Sequence, residues 1–242
     1  MKPQDQASPS LPTGTTLYHF NGVPVVAQSS FWPLLTLVTG FLIWGARQRN
    51  RKRSWMQCVG LGMLALPVAL CAEVGHAMAH TVSARAAGAP MDEILLSAGM
   101  ARTLYLNNDV APRTHIRRSL GGPVFSLAGF LLSLLWWRTA PKGTINRDLA
   151  GVSLFGHSVI LFGSVMPLPM IDGGIIMKWK LVETGQSPEQ AEQTVRNTSV
   201  GLGATAVGLG VMLGFVRKRR WIGGLLAAAG AAGIAAGIGW LN

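Results

Sequence analysis

The chain has 242 residues, of which 49% are hydrophobic and only 13% are charged. Its formal net charge is +11, and the basic residues cluster at the ends of apolar runs, where Lys and Arg anchor and orient membrane helices. This composition is typical of a polytopic membrane protein and argues against a soluble domain. We therefore expect a multi-pass protein of the cell membrane, whose basic residues meet the lipid bilayer and do not bind nucleic acid.

Two regions of the sequence predict short strands rather than helices. Residues 1–16 are polar and rich in proline and serine, which predicts a flexible N-terminal tail. The following segment, residues 17–32, has β-branched and aromatic residues around Gly22 and Pro24, and predicts a short extended or hairpin element at the membrane surface. Residues 91–106, MDEILLSAGMARTLYL, predict a second pair of short strands beside the membrane.

The remaining apolar runs predict about six transmembrane helices, so we expect an all-α polytopic membrane protein with short membrane-edge β-strands. These helices are predicted at residues 31–46, 55–87, 120–137, 149–165, 200–216 and 221–241, with Pro67 interrupting the second.

Ser187, Pro188 and Gln190 form a capping box with proline at the first helical position. The fifth helix is therefore expected to begin before its apolar run, in water or at the interface.

The loops and the last helix carry further information. The densest positive charge lies in residues 47–53 and 217–220, which fall on one side if six spans alternate. The positive-inside rule makes that side cytoplasmic.

Repeated small residues in the last helix permit close approach of a second helix. Two interpretations are equally open: the residues pack within the bundle, or they form the contact of a homo-oligomer.

Ionisable residues in an apolar run are the first indication of function, because leaving them in lipid costs several kcal/mol. The segment EVGHAMAH places Glu73, His76 and His80 at the end of the second predicted helix. At about 100° per residue, these residues fall within roughly 60° of arc. We therefore expect their side chains to meet at one place.

A second polar position lies in the segment PLPMIDGG, residues 167–174. Asp172 follows Pro167 and Pro169 and precedes two glycines. Prolines prevent a regular helix, and irregular backbone at membrane depth is tolerated only when it is buried in protein or lines a cavity. A carboxylate on such a break, together with imidazoles, suggests a metal site, and zinc prefers these ligands.

Three motifs together resemble those of the site-2 proteases, a family of intramembrane zinc metallopeptidases. Residues 72–76, AEVGH, are similar to the family's H-E-x-x-H helix motif. GGP at 121–123 resembles its G-P-x-x-N element, and SVMPLPMIDGG at 164–174 resembles its N-x-x-P-x-P-x-x-D-G element. The resemblance implies a site-2 protease-like membrane core over residues 17–180, followed by a C-terminal helix pair over 181–242.

This resemblance also implies an activity and a set of functional residues. The chain would be a zinc metalloendopeptidase of regulated intramembrane proteolysis, and its partners would be membrane-spanning protein substrates. His76 and Asp172 would be Zn²⁺ ligands, and Glu73 would be the general base. The residues that would position the substrate are Gly122, Pro123, Ser126, Ser164, Pro167 and Pro169.

Three residues depart from the family's motifs. Ala72 stands where the first zinc-binding histidine is expected, and Ser126 and Ser164 stand at two asparagine positions. A methyl group cannot ligate a metal, so the expected site loses one ligand. His80 is a candidate replacement, because histidines at i and i+4 chelate zinc. The metal would then move about 6 Å along the helix from its position in the family.

Several hypotheses stay open on the sequence alone. In an active protease, a substrate would pair with a membrane-edge strand such as NGVPVVA, residues 21–27, which would expose its backbone. A catalytically inactive pseudoprotease would bind transmembrane helices without cutting them. An artificial replacement of histidine would also explain Ala72. Outside the family, Glu73 and His76 could be a hydrogen-bonded pair that only fastens helices, or the broken helix could serve ion transport.

Overall fold

The computed structural model describes residues 14–99, 101–215 and 220–240, which are mostly helical with one small sheet. The elements in chain order are β1 (Thr15–Phe20), β2 (Val23–Ala27), α1 (Phe31–Arg49), α2 (Trp55–Ala86), β3 (Glu93–Leu96), β4 (Arg102–Leu104), α3 (Pro112–Thr139), α4 (Ile145–Ser164), α5 (Asp172–Glu183), α6 (Pro188–Phe215) and α7 (Arg220–Gly237). Residues 1–13 of the predicted tail and 217–219 of the second basic loop lie outside the described residues.

Four helices of the described chain are long and apolar enough to cross a membrane, namely α2, α3, α6 and α7. The chain is therefore a membrane protein by the length and composition of its helices. Helices α1 and α4 form where they were predicted, but they do not belong to this set. The predicted count of about six spans is thus not confirmed.

The four strands form a single sheet in the order β1-β2-β3-β4. Strands β1 and β2 are antiparallel, β2 and β3 are parallel, and β3 and β4 are antiparallel. Both predicted strand pairs are confirmed. The expectation that a substrate pairs with residues 21–27 is wrong, because β2 lies inside the sheet and both of its edges are already paired. The edge strands are β1 and β4.

By its internal contacts the chain divides into two compact units, and the first contains residues 1–110 and 121–161. It comprises the sheet, α1, α2, most of α3 and most of α4. Its core lies between the sheet and α2, where Val25 and Ile94 are fully buried against Ala77 and Ala84. Helix α2 continues through Pro67, so the predicted interruption there is wrong. Burial of one face of the sheet on α2 therefore fixes the helix segment that carries the polar residues.

The second unit contains residues 111–120 and 162–242. Its helix α5, which begins at Asp172, was not predicted from the sequence. The predicted start of α6 is confirmed, because the helix begins at Pro188 and its capping box is formed. The amide of Gln190 donates to Oγ of Ser187 at 3.2 Å, and the amide of Ser187 donates to Oε1 of Gln190 at 3.1 Å. The predicted boundary between core and helix pair at residue 180 stays a prediction.

Helices α6 and α7 pack backbone to backbone through small residues. The buried residues of α7 are Gly223, Gly230, Gly233 and Gly237. A Cβ added to Gly230 would lie 2.5 Å from the carbonyl oxygen of Gly203 on α6. Oγ of Ser199 donates a hydrogen bond of 2.7 Å to the carbonyl oxygen of Gly233. The small-residue stripe of the last helix therefore packs within the chain.

This packing predicts different outcomes for two glycines of α7. Gly230→Ala is expected to lower the free energy of unfolding by about 1–3 kcal/mol, because the added methyl group overpacks the contact with α6. Gly224→Ala is the control, since among the described residues no atom beyond the adjacent backbone of the same helix lies within 4 Å of the added Cβ. The control is expected to be neutral or to stabilise by about 0.5–1 kcal/mol, because alanine favours a helix more than glycine does. Thermal unfolding in detergent, followed by circular dichroism, measures both variants, and equal Tm values would contradict the packing.

Candidate metal centre

Two histidines converge on α2, one helical turn apart. Nε2 of His76 lies 3.1 Å from Nε2 of His80, and the ring centroids are 4.8 Å apart with the rings at 75°. His80 is buried, and His76 is half-buried. Two imidazole ligands of one tetrahedral zinc ion, each about 2.0–2.1 Å from the metal, have nitrogens about 3.4 Å apart. The observed separation is therefore close to the one that a shared metal ion requires.

The same separation fits a hydrogen bond between the rings when no metal is bound. One Nε2–H then donates and the other Nε2 accepts, so at least one of the two rings is neutral. A metal ion can replace the shared proton, because it binds both nitrogen lone pairs at once.

Ser126 on α3 orients the ring of His76. Its Oγ lies 2.9 Å from Nδ1 of His76, and the residue is fully buried. Histidines that ligate metals usually donate their other ring N–H to a hydrogen-bond acceptor, which fixes the tautomer and the ring orientation. If Nδ1–H of His76 donates to Ser126, the Nε2 lone pair is directed toward His80. The sequence interpretation placed Ser126 beside the substrate, and it did not foresee this contact with His76.

Helix α3 approaches the two imidazoles at a residue that has no side chain. A Cβ added to Gly122 would contact Nε2 of both His76 and His80. The backbone of α3 therefore lies directly against the two imidazoles, and only glycine permits this close approach. Pro123 follows inside α3, which continues as a helix. The two nitrogen donor atoms are of the kind that Zn²⁺ prefers.

Glu73 uses one carboxylate oxygen to hold a different part of the first unit. Its Oε1 accepts a hydrogen bond of 2.7 Å from the backbone N–H of Ala101, in the segment between β3 and β4. Glu73 also lines a small, mainly apolar cavity of about 90 Å³, together with residues of α1 such as Phe31 and Leu35. The structure thus brings the two histidines together, and it directs Oε1 of Glu73 toward the sheet segment.

Ala72, where the sequence resemblance would place a zinc-binding histidine, is enclosed by α4. The residue is 1% exposed. A Cβ added to Gly156 on α4 would lie 3.2 Å from the Cβ of Ala72, which is tighter than most Cβ contacts. The two helices therefore meet here through their smallest residues, and a larger side chain at residue 72 would press on α4.

Asp172 is the first residue of α5 and follows the double-proline segment. Within the second unit, the chain before it folds back over the first turn of this helix. A Cβ added to Gly174 would contact the carbonyl oxygen of Leu168, and one added to Gly173 would contact that of Val165. The two glycines therefore allow the segment that contains Pro167 and Pro169 to lie directly on the start of α5. Ser164, which ends α4, is also buried.

A buried carboxyl group in the sheet was missed in the sequence. Glu93 on β3 is 4% exposed, and its Oε1 has no hydrogen-bond partner within the described part of the chain. Burial raises the pKa of the Glu93 carboxyl group, because the charged form loses its hydration. All four residues of β3 are buried. Because buried and exposed residues do not alternate along β3, no sequence pattern indicates that Glu93 faces the protein interior.

Comparison with known proteins supports the fold. No family model and no curated protein matches the sequence. The structure is similar to that of the site-2 protease from Methanocaldococcus jannaschii, with a TM-score of 0.53 and 15% sequence identity over 93% of this chain and 94% of that chain. At this identity the likeness establishes the fold alone. A site-2 protease-like fold is thus confirmed, and the ligand set stays a prediction.

The packing at Ala72 predicts the effect of restoring the family's histidine. Ala72→His is expected to lower the free energy of unfolding by about 1–3 kcal/mol through overpacking against Gly156, and to leave the zinc content unchanged. Ala72→Leu is the matched control, since it adds comparable bulk without a ligand atom. Thermal unfolding and zinc analysis of the purified variants measure both effects. A rise in bound zinc in the histidine variant alone would show that position 72 still belongs to the metal site.

Proposed function

We propose that this chain is a site-2 protease-like intramembrane zinc metallopeptidase whose metal is held one helical turn further along α2 than in the family's motif. The observation that carries the proposal is the 3.1 Å separation between Nε2 of His76 and Nε2 of His80. Gly122 lets α3 pack closely against both rings, and Ser126 orients His76. The substrates would be membrane-spanning proteins of the cell membrane, in which the enzyme would hydrolyse peptide bonds.

We further propose Asp172 as the third ligand. His76, His80 and Asp172 each offer one ligand atom, two of them imidazole nitrogens and one a carboxylate oxygen. Catalytic zinc sites use this type of ligand set and keep a fourth position open. The start of α5, where Asp172 lies, is fixed by the close backbone contacts of the two following glycines. A rigidly held carboxylate of this kind is suited to a metal site.

The chemistry divides between the metal and the residues of the chain. Zinc, when bound, supplies Lewis acidity and makes a water molecule easier to deprotonate. His76 and His80 contribute neutral imidazoles, and Asp172 contributes a negative charge. Glu73 is the proposed general base, and the oxygen that does not bind the amide of Ala101 would accept the proton. Gly122, Pro123, Ser126, Ser164, Pro167 and Pro169 remain the residues proposed to position the substrate.

A second candidate function, the inactive pseudoprotease, is favoured by the environment of Glu73. In H-E-x-x-H, the glutamate directly follows the first ligand. In this chain the residue after His76 is Ala77, which is buried and has no carboxylate. Glu73 lies three residues before His76, and its Oε1 is occupied by the amide of Ala101. In this alternative, the chain would bind transmembrane helices and would not cut them.

A homo-oligomer through α7 also stays a proposal. The buried glycines of this helix pack on α6, so a contact with a second copy would use the opposite surface of α7. That surface carries exposed apolar side chains, including Trp221 and Leu225.

Zinc analysis of purified variants tests the ligand set. The wild-type chain is expected to bind about one zinc ion, and His76→Ala and His80→Ala are each expected to lose it, because a catalytic site needs three protein ligands. Ser126→Ala should retain both imidazoles and weaken zinc affinity about 10–100-fold, because the orienting hydrogen bond is lost. His19→Ala, an exposed residue of β1, is the control. Full zinc content in His80→Ala would mean that the metal has not moved along α2.

Cleavage of a model transmembrane peptide in lipid vesicles separates the two functions. If the enzyme is active, Glu73→Gln is expected to reduce cleavage about 10²–10⁴-fold, the usual contribution of a general base, with the zinc content retained. Asp109→Asn changes an exposed carboxylate and should cleave normally. A zinc-loaded wild-type chain that binds the peptide but does not cut it, with binding unchanged in Glu73→Gln, would establish the pseudoprotease instead.

A further inference from the structure

One end of the first unit, formed by the α1–α2 and α3–α4 connections, is strongly basic. Residues 45–55 and 136–150 contain Arg47, Arg49, Arg51, Lys52, Arg53, Arg138, Lys142 and Arg147. Asp148 is the single acidic residue in these two sequence segments. Such an excess of positive charge in short loops is expected at the anionic surface of a membrane.

Tryptophans accompany this charge. The guanidinium group of Arg47 lies 5.9 Å from the ring centroid of Trp55, and that of Arg147 lies 3.9 Å from the centroid of Trp137. Trp55 is exposed. Tryptophan and basic residues together mark the headgroup level of a bilayer. This end of the unit is therefore suited to lie among lipid headgroups.

A cavity of about 270 Å³ lies between the two connections, and we name it the loop cavity. The residues of its wall that matter here are Asn50, Lys52, Arg53 and Gln57 from the α1–α2 connection and the start of α2, with Gly143 and Ile145 from the other connection. Two of these side chains are cationic, and two are amides. The cavity thus joins two separate parts of the chain around a polar space.

The oxygen of each amide side chain in this wall already accepts a hydrogen bond from the backbone. Oδ1 of Asn50 accepts the amide N–H of Lys52 at 3.1 Å, and Oε1 of Gln57 accepts the amide N–H of Ser54 at 3.0 Å. Because a backbone N–H can pair only with the oxygen of such a side chain, the NH₂ groups remain to bind a ligand. Lysine and arginine have donors and no acceptors. The polar side chains of the wall therefore complement an anion.

Arg53 is held in the wall by the protein itself. One of its nitrogens, Nη2, pairs with Oδ2 of Asp148, and its carbonyl oxygen accepts from Arg47. Arg49 pairs with the other oxygen of Asp148 at 2.7 Å, so one carboxylate serves two guanidinium groups. The side chain of Arg53 is 12% exposed, and its Nη1 is buried with no hydrogen-bond partner in the described chain. The site thus retains an excess of positive charge and a donor that lacks an acceptor.

We propose that the loop cavity binds a phosphate group, and that an anionic membrane lipid supplies it. Guanidinium and ammonium groups form charge-assisted hydrogen bonds with phosphate oxygens, and amide NH₂ groups can complete the ligand's coordination. The lipid is the favoured source because the wall is set among interfacial tryptophans and because the apolar side chain of Leu61 on α2 also lines the cavity. This inference does not depend on the proposed zinc site.

The full-length chain in a neutral detergent provides the test, with short-chain phosphatidylglycerol as the probe and phosphatidylcholine of equal chain length as the neutral lipid. Phosphatidylglycerol is expected to raise Tm in a saturable manner, because a ligand that binds only the folded state stabilises it. Lys52→Gln is expected to weaken this binding at least tenfold more than Arg51→Gln does. Arg51 is the matched control, since it is exposed, carries the same charge and lies outside the cavity wall.

A second variant changes the charge of the cavity wall without replacing Lys52. Asn50→Asp retains an oxygen for the amide of Lys52 and adds a negative charge to the wall, so it should weaken phosphatidylglycerol binding at least as much as Lys52→Gln. Unchanged Tm values without lipid would show that the variants fold. Competition by inorganic phosphate, at a lower affinity than the lipid, would support both parts of the proposal. Equal effects of Lys52→Gln and Arg51→Gln, equal binding of the two lipids, or no competition by phosphate would overturn it.

Discussion

Two imidazole rings on one helix, with their Nε2 atoms 3.1 Å apart, are the interaction on which the interpretation of this membrane protein depends. The spacing of one helical turn places both rings on the same side of α2. Their orientation also depends on contacts with α3. Gly122 comes close without a side chain, and Ser126 holds the far nitrogen of His76. The geometry of the pair therefore depends on the helical spacing of α2, on the close approach of α3 at Gly122 and on the hydrogen bond from Ser126.

The proposed position of the metal would separate metal binding from acid–base chemistry. The familiar motif places the glutamate directly after the first histidine, so one helix supplies ligands and base in a fixed relation. In the proposed site the ligands would lie one turn later, whereas Ala72 packs near Gly156 and Glu73 binds the amide of Ala101. Zinc binding and cleavage would then have to be measured separately, because a chain with this arrangement could keep the metal and lose the base.

The sequence predicted those features that depend on local patterns. Strands β1 to β4, the starts of α1, α2 and α7, and the capping box at Ser187 that begins α6 follow from alternation, apolar runs and capping residues within a few positions of each other. Helix α5 was missed because two prolines before Asp172 and two glycines after it disfavour a helix locally. The hydrogen bond from His76 to Ser126, the contact of Ala72 with Gly156, and the interior place of β2 join residues far apart in the sequence. No local pattern specifies such contacts.

Zinc K-edge X-ray absorption of the purified, zinc-loaded chain tests the relocated metal site most directly, because the spectrum reports the number of imidazole and oxygen ligands. Two imidazoles, with oxygen ligands at about 2.0–2.2 Å and no sulfur, are expected. In His80→Ala, measured with zinc in large excess, the number of imidazole ligands is expected to fall to one. A wild-type spectrum with a single imidazole, or with one that does not change in His80→Ala, would contradict the claim that both histidines of α2 bind one ion.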